Sequence, residues 1–143
     1  MSVNGLPPYD EGNIFARILR GEIPARKVLE NDHALAFHDI APQAPVHVLV
    51  IPKGPYVSVS DFSEKAAPEA VAGFWRSVAE TARKLGLQDG GFRVLSNMGH
   101  HAGQEVPHFH VHVFGGAPLG PMLARAADRP TATLSGKTLQ VAA

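Results

Sequence analysis

Three histidines alternate with apolar residues in the run His108-Phe109-His110-Val111-His112-Val113-Phe114. A period of two residues is typical of a half-buried β-strand, so the three imidazoles project from one face, and Phe109, Val111 and Val113 project from the other. Histidine changes charge near neutral pH, and it serves as a nucleophile, a general acid or base, or a metal ligand. Burying several polar groups on one apolar strand is costly. The pattern therefore predicts that this strand carries chemistry.

The spacing of the histidines favours direct attack over a shared metal ion. Same-face neighbours on a strand lie about 6.8 Å apart, which places the Cα atoms of His108 and His112 about 13 Å apart. A zinc ion needs every ligand nitrogen at about 2.0–2.1 Å, so one ion does not easily collect all three. We expect no metal and no cofactor. A metal-dependent protein built on His47, His110 and His112 remains the alternative.

The overall composition limits the possible partners. A chain of 143 residues is most simply one domain with a core of its own. Thirteen basic side chains balance thirteen acidic ones, so the net charge gives no reason to expect nucleic acid or an anionic membrane as a partner. The sequence contains neither a membrane-spanning apolar run nor the pattern of a signal peptide. With no cysteine available for a disulfide, we expect a cytoplasmic protein.

Apolar periodicity and turn residues place the other elements. Asn13 is expected to cap a short helix over residues 14–20, which Gly21 ends. A longer helix is expected from Pro68 to Leu85, with an apolar stripe that packs on the core. Before the histidine strand, the pattern predicts strands at residues 26–30, 34–38, 46–51 and 92–96. Strands in hairpin-like succession with few helices between them predict an α+β fold with an antiparallel sheet.

The stretch over residues 97–106, just before the histidines, is polar and contains Gly99 and Gly103. Glycine lets backbone N–H groups approach an anion closely, so such a loop can hold a phosphate. Most stretches of this kind are plain connections, and the signal is weak by itself. Beside a histidine strand, it favours a site that handles phosphate.

Several motifs in sequence order resemble the histidine triad (HIT) superfamily, and within it the Hint branch of purine nucleoside phosphoramidases. The motifs are the triad His108-x-His110-x-His112, the stretches 36–40, 42–47 and 51–53, Gly103-Gln104 before the triad, and Gly115-Gly116 after it. The resemblance implies an N-terminal extension over 1–12, a HIT domain over 13–122 and a C-terminal tail over 123–143. It also implies a five-stranded antiparallel sheet with two helices, and a homodimer whose two sheets join.

The resemblance further implies a covalent mechanism. His110 would attack the α-phosphorus of a purine nucleotide amide or ester, such as a derivative of AMP or GMP, and form a nucleotidyl-imidazole. Water would then release the nucleoside monophosphate. His112 would contact the phosphate oxygens, and His108 and His47 would support and orient the site. A neutral imidazole is nucleophilic and leaves well once phosphorylated, which splits one hard step into two easier ones.

The same resemblance implies a set of nucleotide-binding residues. Asp39 would hold the ribose hydroxyls, although it is also placed to cap the following turn. The side chains that would enclose the base are Ile14, Phe15, Phe37, His38 and Ile40, of which Phe37 and Ile40 have a core role as their alternative. The phosphate side would be formed by Asn97, Gly103, Gln104, Glu105 and Val106. Of these, Asn97 and Gln104 would donate to the phosphate or to the leaving group.

Three positions depart from the family pattern. Glu105 stands where the Hint branch often has serine, which changes a contact on the phosphate side. Some relatives carry a Cys-x-x-Cys zinc site in the first helix, and Asn13 and Ala16 occupy those positions here.

The competing hypotheses are a dinucleoside polyphosphate hydrolase and a nucleotide-binding regulatory module without physiological turnover.

Overall fold

A five-stranded antiparallel sheet forms the centre of the fold. The computed structural model describes residues 1–124, 133–134 and 137–138. The strands are β1 (Lys27–Glu30), β2 (Ala34–His38), β3 (Val46–Pro52), β4 (Phe92–Leu95) and β5 (Val111–Gly115). Their order across the sheet is β1-β2-β3-β5-β4, with every neighbouring pair antiparallel. Further along the chain, β6 (Thr133–Leu134) pairs with β7 (Lys137–Thr138), while most of the predicted tail lies outside the described residues.

The two predicted helices are confirmed, and the structure adds two short ones. The helices are α1 (Ile14–Leu19), α2 (Val59–Lys65), α3 (Pro68–Lys84) and α4 (Gly99–Ala102). As predicted, the Asn13 side chain caps α1, where it accepts from two backbone N–H groups. The start of α2 also has a sequence signal, because the Asp61 carboxylate accepts from the N–H of Ser58 at 2.8 Å, three residues earlier. The expected number of two helices was therefore too small.

The two faces of the sheet bury different groups of apolar side chains. One face packs against α3, whose buried stripe includes Phe74, Val78 and Ala82. The predicted alternation places Phe109, Val111 and Val113 in this same core. The opposite face packs against α1 and buries Phe15, Ile18, Leu35, Phe37, Leu49 and Ile51. The histidines lie on the α1 face.

Strand β5 begins three residues later than the alternation predicts. The segment before it turns toward the end of β3, where the His108 ring donates to the Pro52 carbonyl at 2.9 Å. The backbone N–H of Phe109 donates to the Tyr56 carbonyl at 2.7 Å. These bonds satisfy the buried polar groups outside the sheet ladder, so the alternation of side chains continues where the ladder has ended. Within the described residues, no helix combines the length and apolarity needed to cross a membrane.

Candidate active site

An open pocket of about 220 Å³ lies between α1, the β3–β5 pair and the loop over residues 97–106. The structure brings nine of the sequence-predicted site residues to its lining: Phe15, Asp39, Asn97, Gly103, Gln104, Glu105, Val106, His110 and His112. Two more lining residues, Gln43 and Leu49, were missed. Leu49 had a signal, because it follows His47 by two positions and pairs directly with His112 across the sheet.

The other residues implied for the base do not line this pocket. Ile40 is 99% exposed and Ile14 is 44% exposed, so neither encloses a ligand within this chain. Phe37 is buried behind Phe15, with ring centroids 5.5 Å apart, and belongs to the core, as its alternative role proposed. His38 is half-buried at the end of β2, outside the lining. The apolar wall of the pocket is instead formed by Phe15, Leu49 and Val106.

His110 presents one free ring nitrogen to the site. Its Nδ1 donates to the backbone carbonyl of His108 at 2.7 Å, so in the neutral ring the Nε2 lone pair is available. Burial lowers the pKa of His110, against the opposing charges of Asp39 and Glu105. Only 7% of the residue is exposed. The ring is therefore a neutral imidazole held in the tautomer that a nucleophile needs.

His112 is held in the opposite tautomer by a chain of hydrogen bonds. The backbone N–H of Gln43 donates to His47 Nδ1 at 3.1 Å, which leaves the His47 proton on Nε2. That proton points to His112 Nδ1, and the two nitrogen atoms are 2.9 Å apart. Burial lowers the pKa of His112 to about 4, with the neighbouring His110 and His47 rings adding to the shift. The neutral His112 ring therefore carries its proton on Nε2 and acts as a donor.

His108 is a supporting residue with no free nitrogen. It is fully buried, its Nε2 donates to the Pro52 carbonyl at 2.9 Å, and its Nδ1 accepts from the Tyr9 hydroxyl at 2.6 Å. Burial lowers the pKa of His108 to about 4, so the ring is neutral. The Tyr9 contact joins residues 99 positions apart in sequence, and the sequence held no signal for it.

The loop before the triad is held together by the Gln104 side chain. Its amide donates to the carbonyls of Val57 and Val106, at 2.8 and 3.0 Å, and accepts from the N–H of Gly99 at 3.0 Å. Both of its donors are therefore used within the protein, and the expectation that Gln104 donates to the phosphate or to the leaving group requires correction. Asn97, which is half-buried in the lining, is the loop amide that remains at the pocket.

One cluster has the composition of a metal site. Single donor atoms of Asp39, His47 and His112 lie within 4.8 Å of one another, and two imidazoles with a carboxylate are ligands that zinc accepts. The metal-dependent alternative from the sequence used His110 in place of Asp39. Hydrogen bonding also accounts for the closeness of these three side chains, because His47 Nε2 lies 2.9 Å from His112 Nδ1 and 3.5 Å from Asp39 Oδ2.

Comparison with known proteins gives a consistent family. The sequence matches the HIT domain over residues 20–119. An uncharacterised 13.2 kDa HIT-like protein of Azospirillum brasilense is 61% identical over 117 residues, which cover 82% of this chain and 96% of that protein. A protein of Escherichia coli K12 named purine nucleoside phosphoramidase is 43% identical over 114 residues, covering 80% of this chain and 95% of its own length.

Solved structures agree in fold. A HIT family hydrolase from Clostridium thermocellum superposes with a TM-score of 0.74 at 35% identity, covering 80% of this chain and 99% of its own. A histidine triad protein from Clostridium difficile superposes with a TM-score of 0.71 at 41% identity, covering 77% and 95%. The predicted α+β fold with a five-stranded antiparallel sheet is thereby confirmed.

Proposed function

The chain belongs to the HIT domain family, and from that premise we propose that it is a nucleotide hydrolase that cleaves the P–N bond of purine nucleoside phosphoramidates and similar acyl-nucleotides. The products are a nucleoside monophosphate and the released amine. The name of the E. coli relative supports the choice of bond, at 43% identity over most of the chain. The observation that carries the proposal is the pair of opposite tautomers at His110 and His112.

The two tautomers divide the work of phosphoryl transfer. The free Nε2 of His110 forms a bond to the α-phosphorus as the P–N bond to the leaving amine breaks. The Nε2–H of His112 donates to a phosphate oxygen or to the departing nitrogen, where negative charge develops. A bound phosphate also brings negative charge beside His112 and favours the protonated form of that ring, so His112 gives a proton to the departing amine and returns to its neutral form while His110 attacks as the neutral imidazole. Water then attacks phosphorus and breaks its bond to His110.

The position of Asp39 supports recognition of the ribose. Its carboxylate lines the pocket, and its Oδ1 accepts from the backbone N–H of Ala41 at 2.8 Å, while Oδ2 lies on the His47 side. Each oxygen has a further lone pair for a hydroxyl. The carboxylate therefore has two roles, as the cap of the turn after β2 and as an acceptor for the ribose diol.

We expect Asp39→Ala to raise KM for adenosine substrates, because the variant loses one or two charge-assisted hydrogen bonds to the ribose. Each such bond contributes about 1.5–3 kcal/mol to binding before solvent compensation. Asp39→Asn keeps an oxygen for the turn and loses the charge, so it separates the two roles. A 2′-deoxy substrate should show a smaller version of the same defect with the parent enzyme. Steady-state kinetics with both sugars measures this. A variant that still discriminates ribose from deoxyribose as the parent does contradicts the ribose role.

The lowered pKa values predict activity at acidic pH. Because burial lowers the pKa of His110, the nucleophile stays neutral as the pH falls through its ordinary value of about 6.5. The kcat/KM profile reports the free enzyme, so its acidic limb should have a midpoint below about 6.5. Rates with adenosine phosphoramidate, measured alongside circular dichroism to follow folding, give the profile. A midpoint at or above the ordinary histidine value contradicts a neutral, buried nucleophile.

We also propose that the protein forms a homodimer through β4. This strand is at one end of the sheet, and its Phe92 and Val94 are 40% and 41% exposed. Trp75 on α3 is 41% exposed as well. An unpaired strand edge with apolar neighbours favours pairing with another chain, and a second copy of the same edge would extend the sheet.

Incubation with adenosine phosphoramidate, following release of adenosine monophosphate with and without a chelator, tests the proposed function. The proposal expects release at an equal rate in both samples, because His110 attacks directly. A rate that is lost with the chelator and restored by added metal supports the metal-dependent alternative instead. A protein that binds adenosine monophosphate and releases none from the substrate supports the regulatory module.

A further inference from the structure

The N-terminal segment over residues 2–9 lies against the back of the active site. It falls outside the part of the chain that matches the HIT domain, which begins at residue 20. Two of its hydrogen bonds reach residues that support the site: Val3 N–H to the Gln104 carbonyl at 2.8 Å, and Tyr9 hydroxyl to His108 Nδ1 at 2.6 Å. Between them, the Gly5 carbonyl accepts from the hydroxyl of Ser58, at the start of α2, at 2.7 Å.

The contact between this segment and the loop is closely fitted. Gly5 has a φ of +75°, and a Cβ there would lie 2.9 Å from Gln104 Oε1 and 2.9 Å from the backbone nitrogen of Gly99. Real Cβ atoms do not approach so closely, and the backbone conformation is one that side chains disfavour. Glycine at position 5 therefore lets the segment run directly over the loop, which brings Tyr9 to the triad.

Tyr9 supplies the second hydrogen bond of a fully buried ring. His108 has no exposed surface, and its Nε2–H is used by the Pro52 carbonyl. Its Nδ1 must then accept a hydrogen bond, because an unpaired buried acceptor is costly. The Tyr9 hydroxyl provides that bond, and the two rings meet edge to face with centroids 5.6 Å apart. His108 is thus fixed at both of its nitrogens.

We propose that Tyr9 is a positioning residue for His110 and acts through His108; this inference rests on the function proposed above. The His108 carbonyl is the group that accepts from His110 Nδ1 at 2.7 Å. A His108 ring held at both ends keeps that carbonyl in place. The carbonyl in turn keeps the proton of His110 on Nδ1 and the lone pair on Nε2.

The loss of the Tyr9 hydroxyl affects chemistry more than binding. With His108 Nδ1 unpaired, the ring is free to turn or to exchange tautomers, and its carbonyl loses its fixed position. His110 then spends part of its time with the proton on Nε2, a form that does not attack phosphorus. The residues that contact the nucleotide are unchanged, because Tyr9 does not line the pocket.

The test compares Tyr9→Phe with Tyr56→Phe, which makes the same chemical change at the chain's other tyrosine. Tyr56 packs against Phe62 in the core on the other side of the sheet, so it is a matched control. We expect kcat for adenosine phosphoramidate to fall about ten-fold or more in Tyr9→Phe, with the Kd for adenosine monophosphate within about two-fold of the parent. Tyr56→Phe should retain the parental kcat. An unchanged kcat in Tyr9→Phe overturns the proposal, as does an equal loss of kcat and nucleotide affinity.

Nitrogen NMR of the imidazoles gives a readout that does not depend on turnover. In the parent protein, His108 should carry its proton on Nε2 and His110 on Nδ1, and in Tyr9→Phe the His110 signals should move toward the other tautomer. A parental His108 with its proton on Nδ1, or His110 signals that are identical in the two proteins, overturns the proposal. If Tyr9→Phe does not fold, the His108 tautomer of the parent protein tests the proposal: a proton on Nε2 supports it, and a proton on Nδ1 overturns it. If the parent protein releases no adenosine monophosphate, the proposed function fails, and the NMR comparison still decides the role of Tyr9.

Discussion

His110→Ala is expected to reduce turnover of adenosine phosphoramidate by more than about a hundred-fold while adenosine monophosphate binding stays largely intact. The substitution removes the nitrogen that forms the covalent bond in the proposed mechanism. The other residues proposed to contact the nucleotide, including Asp39 and the Phe15 wall, remain in the pocket. The measurement pairs steady-state kinetics with calorimetric binding of adenosine monophosphate, so that loss of chemistry is separated from loss of affinity.

Two further histidine substitutions make this result specific. His112→Ala should also slow the reaction, but less completely, because it removes the proposed donor and leaves the proposed nucleophile, His110. His101→Ala is the matched control, since His101 is exposed in the loop that precedes the triad and does not line the pocket. It should retain the parental rate. More than about a hundredth of the parental activity in His110→Ala would show that the covalent mechanism is wrong.

Local patterns in the sequence were enough to predict the sheet and the face that carries the histidines. Period-two alternation assigned the three histidines to the face opposite Phe109, Val111 and Val113, and the structure keeps that division even where the β5 ladder has ended. The apolar stripe of α3 followed from the helical spacing of its apolar residues. The cap of α1 followed from the side chain of Asn13. These features depend on neighbours in sequence, so the sequence carries them directly.

The features that the sequence did not predict depend on contacts between distant positions. The tautomer of His112 is set by His47, which is 65 positions away, and the second hydrogen bond of the His108 ring comes from Tyr9, which is 99 positions away. The family resemblance also assigned Gln104 to the phosphate or the leaving group, whereas both donors of its amide hold the loop. Ile40 follows a buried strand and still points into solvent, because the chain turns after Asp39. These features depend on which polar groups meet in the folded chain and form hydrogen bonds there.

The charge of the pocket favours a leaving group without negative charge. A polyphosphate leaving group carries several charges and needs cationic groups around it. None of the described lining residues is a lysine or an arginine, while Asp39 and Glu105 are both acidic. Lys53 is paired with Glu30 at 3.0 Å. Arg93 lies on the histidine face of the sheet, but its guanidinium donates to the carbonyls of Gly120 and Pro121.

We therefore expect adenosine phosphoramidates to be cleaved far faster than diadenosine polyphosphates, with kcat/KM differing by at least about ten-fold. An amine departs well once it gains a proton, and in the proposed mechanism His112 supplies that proton without a cationic clamp. Competition between the two substrate classes in one reaction measures the ratio directly. Glu105→Gln should narrow the difference, because it removes the carboxylate that repels an anionic leaving group while leaving His110 and His112 in place. Comparable kcat/KM for the two classes in the parent enzyme would favour the polyphosphate hydrolase instead.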